Sequence, residues 1–218
     1  MNQYQTSSVI EARAGRAGAR QVRRRLHGCI LLPDARAFDN AWCFAVGLGV
    51  APNLFISINW SHAPSVDGTH PMDRNAQLRD GLKQVLYRHA PGVPVVWLEA
   101  REKPGSKGEG VHLFFYVPEA IIPIFTAAVM RLVARQSSSV SDTAVDVRPV
   151  GPRWRDRRDY VLKGGDDAVT QRYATQRFRK GAQGLIEGPR LRCSHSIGAK
   201  AQLDAGWRVG SADDVIHH

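Results

Sequence analysis

Tyr160 and Lys163, one helical turn apart, lie in the most basic stretch of this 218-residue chain and could carry phosphoryl chemistry. A phenol oxygen can attack a DNA phosphate in line, leaving a phosphotyrosine and a free 3′ hydroxyl. An unperturbed phenol has a pKa of about 10 and needs assistance. A lysine three residues on shares its helical face and can favour the phenolate or hold the phosphate, while a divalent metal could polarise the scissile group. Y-x-x-K alone is a common pattern, and such a tyrosine more often packs against a core. The second candidate is His112, in Gly110-Val111-His112-Leu113-Phe114-Phe115-Tyr116-Val117. With a period of two, the valines, Leu113 and Phe115 take one face and Gly110, His112, Phe114 and Tyr116 the other. A single strand histidine is usually structural. What singles out His112 is its company, with Glu99 across the hairpin and the Tyr–Lys pair downstream.

The elements that position these groups become regular from residue 53 onward. Leu54 to Trp60 reads as a strand with Ile56, Ile58 and Trp60 on one side and Ser57 and Asn59 on the other. Asp73 is placed to cap a helix whose Leu78, Leu82, Val85, Leu86 and His89 recur at helical spacing, ended by Ala90-Pro91-Gly92. Pro94–Arg101 and Gly110–Val117 form a hairpin through the turn-rich 102–108, and Glu102 falls in that turn. A helix opens after Pro118, with Pro123 in its first turn. Ala144–Val150 is the fourth strand, and Trp154–Leu162 a short basic helix. The order β-α-β-β-α-β predicts an α+β, ferredoxin-like palm: an antiparallel sheet with both helices on one face. The opposite face would then be open, presenting His112, Ser57 and Asn59 to a ligand and Phe114 and Tyr116 to bases, unless the N-terminal residues cover it. The chain divides into an arm over residues 1–50, a palm over 51–165 and a basic extension over 166–218.

Charge points to a phosphate-bearing partner. The net charge of +10 is uneven: residues 1–25 carry +5, residues 26–150 are neutral, residues 151–200 carry +7 and the tail carries −2. Two basic segments around a neutral middle fit a phosphate backbone, because each neutralised phosphate releases counterions. Arg153, Arg155, Arg157 and Arg158, beside the tyrosine, suit such contacts; the plainer reading is a solvated helix face. No apolar run is long enough for a membrane span, no secretory core follows the first residues, and the three cysteines are widely separated, so the expectation is a cytoplasmic protein without membrane or disulfides. His62 and His70 fall in a loop and carry no assignment, and no P-loop is present.

FISINW (55–60), GVHLFFYVP (110–118) and YVLKGG (160–165), in that order, resemble the three motifs of the HUH endonucleases, the Rep-type initiators of rolling-circle replication in plasmids and filamentous phages. The resemblance spans about residues 53–165, and Gly184–Arg190 with Cys193–Gly198 also looks like the downstream region of small Rep-like proteins. It implies Tyr160 as nucleophile, Lys163 as its assistant, a Mg²⁺ or Mn²⁺ ion at His112, and single-stranded DNA at a replication origin as substrate, with the host replication machinery as a possible partner. One departure stands out. The family's second motif has two histidines, and Gly110 occupies the first position. A hard cation accepts oxygen ligands, so Glu99, or else Glu102, would complete the site. Two other readings remain: a non-catalytic nucleic-acid-binding module on the same palm, and an RNA-binding domain of RRM-like topology, whose third-strand motif GVHLFFYV matches poorly.

Overall fold

A computed structural model describes residues 26–104, 108–151, 153–178 and 183–207, so the arginine-rich start of the chain lies outside the described residues. In chain order the elements are β1 (Leu26–His27), α1 (Leu32–Gly47), β2 (Leu54–Asn59), α2 (Pro71–His89), β3 (Trp97–Glu102), β4 (Gly110–Phe115), α3 (Ile122–Arg135), β5 (Val145–Pro149), α4 (Trp154–Val161), α5 (Asp167–Tyr173), β6 (Ile186–Glu187), β7 (Leu191–Cys193) and α6 (Ala199–Asp204). The sheet runs β5-β2-β4-β3-β7, every neighbouring pair antiparallel. Its first four strands are the expected ferredoxin-like palm, and β7 adds a fifth at the edge beside β3. β1 pairs with β6 in a separate two-stranded ribbon.

The two sheet faces have different roles. Ile56, Ile58, Val111, Leu113 and Phe115 pack against Leu78, Leu82 and Leu86 of α2 and Phe125, Val129 and Val133 of α3. Pro71 opens α2 and Pro123 opens α3, where a missing N–H is harmless. The α2 cap is His70, whose Nδ1 accepts from the Met72 N–H at 3.2 Å; Asp73, the expected cap, lies within the first turn.

The other face is not open. Phe114 is fully buried beneath α1, its ring 5.1 Å from Trp42 and 6.3 Å from Phe38, both edge-on. Phe55 closes the same cluster at 4.8 Å. The expectation of a bare platform for stacking bases is therefore corrected: Phe114 is core, and Tyr116 is partly buried against the same cluster. A strand alternating apolar residues on both faces needs helices on both, because each exposed phenylalanine would forgo roughly 2–3 kcal/mol of burial. Residues 26–50 and 166–207, read from sequence as arm and extension, supply much of this layer, including Phe38, Trp42, Val169, Tyr173 and Ile197.

α4 owes its position to α1. The Trp42 and Trp154 rings stack at 4.8 Å with 8° between planes, and Arg158 donates to Asp39 of α1 at 3.0 Å. The turn after α4 is fixed by Gly165, where a β-carbon would come within 2.3 Å of the Val169 side chain. Ile30 pins that turn from outside, its N–H bonded to the Gly164 carbonyl and its carbonyl to the Asp166 N–H, each at 3.0 Å. Among the described residues, no helix is long and apolar enough to cross a membrane.

Candidate active site

Register brings the first group of side chains together. In the β2–β4 pair Ser57 lies opposite His112, and in the β3–β4 pair Glu102 lies opposite Gly110. Ser57 Oγ and His112 Nδ1 are 2.9 Å apart. With the hydroxyl donating, the ring proton sits on Nε2, 3.2 Å from Glu102 Oε1. Nε2 is buried there without an aligned partner. The second carboxylate oxygen of Glu102 is held by the Lys163 ammonium. Burial pushes the Glu102 carboxyl up, but the His112 ring and the Lys163 charge outweigh it and hold the group at about 2. His112 is 6% exposed and stacks on Phe55 at 5.4 Å.

α4 completes the cluster from above. The Tyr160 ring meets the His112 ring edge-on at 5.3 Å, and Lys163 Nζ lies 3.5 Å from the centre of the Tyr160 ring. Ser57 of β2, His112 of β4, Tyr160 of α4 and Lys163 of the turn after α4 thus lie together. Arg153, Arg157 and Tyr160 recur at helical spacing on one side of α4, where they border a cavity of about 540 Å³ with Asp156, Arg177 and Phe178. Tyr160 is common to both groups: one side touches His112 and the other opens on this arginine-rich hollow. The Arg157 guanidinium lies 5.2 Å over Phe55, next to the His112 ring.

Other anticipated residues are elsewhere. Glu99 points to the opposite face, 1% exposed and ion-paired with Arg79 of α2, so it cannot share a ligand with His112. Strand alternation decides this: Leu98, Ala100 and Glu102 face α1 and α4, while Trp97, Glu99 and Arg101 face away. Arg158 is not a free phosphate contact, being bound to Asp39 and to Asp159 at 2.9 Å under the Trp154 and Tyr173 rings. Asn59 is half-buried, and its side chain caps the following turn by accepting from the Ser61 N–H at 3.1 Å. Arg155 is exposed and does not border the cavity, whereas Arg153 does. Glu102, the alternative carboxylate named from sequence, is the one beside His112. Arg177 and Phe178 went unassigned in sequence; they come from a turn after α5 with no local signal.

A divalent cation fits this donor set poorly. One carboxylate oxygen already binds an ammonium, Glu99 is on the far face, and Gly110 brings no ligand. Two like unit charges 4 Å apart repel by about 4 kcal/mol at an effective dielectric of 20, and a dication doubles this. Among the described residues, no group of three His, Cys, Asp or Glu side chains gathers to hold a metal.

The chain is an α+β protein with a ferredoxin-like sheet covered on both faces. Compared with family models, curated proteins and solved structures, it matches none.

Proposed function

We propose that this protein nicks single-stranded DNA by transesterification, as a rolling-circle replication initiator does, with Tyr160 as nucleophile. The observation that carries the reading is the position of Tyr160, between the Ser57–His112–Glu102–Lys163 cluster and a cavity bordered by Arg153, Arg157 and Arg177. In the reaction the Tyr160 oxygen bonds to phosphorus as the bond from phosphorus to the 3′ oxygen breaks. The phenol gives up its proton and the 3′ oxygen ends as a hydroxyl, so no water is consumed and the protein keeps a 5′-phosphotyrosine link. The arginines hold the phosphate and neighbouring backbone by charge-assisted hydrogen bonds. Arg177 also bonds Asp156 at 2.8 Å and forms one wall of the cavity. The 3′ hydroxyl left behind is what a polymerase of the host would extend at an origin.

The test uses a pool of single-stranded oligonucleotides of random sequence, labelled at the 3′ end and incubated with the full chain. The expected product is a detergent-resistant protein–DNA adduct that keeps the 3′ label and disappears in Tyr160→Phe. DNA binding without an adduct under any condition would refute nicking and leave the non-catalytic binding module on the same palm.

A further inference from the structure

We infer that the Lys163 ammonium stands in the divalent cation's place, so that strand transfer by this chain needs no metal. The inference rests on the nicking reading above and concerns the same site. Its starting point is Gly110. A β-carbon there would meet the Ile58 carbonyl oxygen at 3.2 Å, tighter than ordinary contact, and Glu102 Cγ and Oε1 at 3.6 and 3.8 Å. The Glu102 side chain therefore lies in ordinary contact with the point from which a second imidazole would grow, and the tight approach there is that of the Ile58 carbonyl. Having a carboxylate there changes what the site attracts, and the structure already contains the answering charge: Lys163 reaches down from the end of α4 onto the second carboxylate oxygen.

Of the His112 nitrogens, Nδ1 is taken by Ser57, while Nε2 faces Glu102 at 3.2 Å without an aligned partner. The Lys163 side chain is 11% exposed, and its ammonium lies between the carboxylate and the Tyr160 ring, 3.5 Å from the ring centre. It is thus a fixed positive charge beside the nucleophile, with Arg157 nearby over Phe55 and Arg153 and Arg177 at the cavity. A phosphate entering from that cavity meets positive groups already oriented, which is the preorganised stabilisation a transition state needs. The step is balanced as written above, with bond exchange at phosphorus and a proton passing from phenol to the 3′ oxygen, and calls for no oxidant, reductant or further reactant.

Two measurements on the full-length protein decide the matter. In the first, adduct formation on an oligonucleotide recovered from the random pool is timed with excess EDTA and with Mn²⁺. The two rates should agree within about two-fold, and Lys163→Ala should lose on the order of 10²-fold in both, with Lys163→Arg losing less. An adduct that forms only with metal overturns this inference while leaving nicking intact. No adduct in either arm overturns nicking and this inference with it. In the second, Mn²⁺ is titrated into DNA-free protein and followed by electron paramagnetic resonance. The ion should stay free at micromolar concentrations; stoichiometric capture that is lost in His112→Ala would overturn the assignment irrespective of activity.

Discussion

Replacing Glu102 by Gln tests the electrostatics of the site apart from any activity. The carboxylate faces His112 and Lys163, whose side chains are 7% and 11% exposed, and its own is 19% exposed. Burial alone would raise its pKa; the His112 ring and Lys163 reverse that and hold it at about 2, against an ordinary 4.5. A carboxyl depressed on folding contributes stability that is fully present above the unfolded value and lost as pH falls through the folded one. The difference corresponds to about 3 kcal/mol near neutral pH, falling to about 1 kcal/mol near pH 3. Glu102→Gln should therefore lower unfolding free energy by about 3 kcal/mol at neutral pH, in the range for removing one partner of a buried ion pair. The measurement is urea denaturation followed by tryptophan fluorescence, wild type against variant, in steps from pH 7 to pH 3. The gap should close from the acid side. A gap of the same size at both ends, or none at neutral pH, would refute a charged, load-sharing Glu102 and remove the basis for Lys163 as the resident cation.

Further predictions separate structural arginines from those that meet a ligand, and test the second helical layer. Arg158→Ala should cost about 3 kcal/mol in urea melts by stranding Asp39 and Asp159, while Arg155→Ala, on an exposed side chain, should stay within about 0.5 kcal/mol. Phe114→Ala should cost about 3–5 kcal/mol in the same melts, because Phe38, Trp42 and Phe55 close around it; a cost below about 1 kcal/mol would mean that α1 does not cover this face in solution. Arg101, which donates to Glu109 at 2.7 Å and to the Glu187 carbonyl at 2.6 Å, should cost about 3–5 kcal/mol as Ala, with much of the loss recovered in Arg101→Met combined with Glu109→Leu.

How much of this was legible depended on the range of the forces involved. Alternation along Leu54–Trp60 and Gly110–Val117 and the helical spacing of Leu78, Leu82 and Leu86 are local, and they define the palm and the two helices beneath it. The prolines at the starts of α2 and α3 were equally direct. The nearness of Tyr160 to His112 is what the resemblance to the HUH motifs implied. Residues 32–47 did not declare themselves, because Ala, Asp and aromatics there give only a weak apolar stripe; their helix is held by Trp42 and Phe38 against Phe114, a contact more than sixty residues away in the chain.

By itself, then, the sequence determined the succession of the four palm strands, the side of each strand on which His112 and Ser57 lie, and the basic setting of Tyr160, all of which are properties of neighbouring residues. The tertiary structure alone decided which carboxylate meets His112, which arginines remain available, and whether the histidine face is covered. Glu99 and Glu102 are equivalent in composition, and only the closing pair of the hairpin, Glu102 opposite Gly110, puts one beside the imidazole and sends the other to Arg79. The physical reason is the two-residue period of a strand: a shift of one position reverses the face, and register is fixed by packing between elements far apart in the chain.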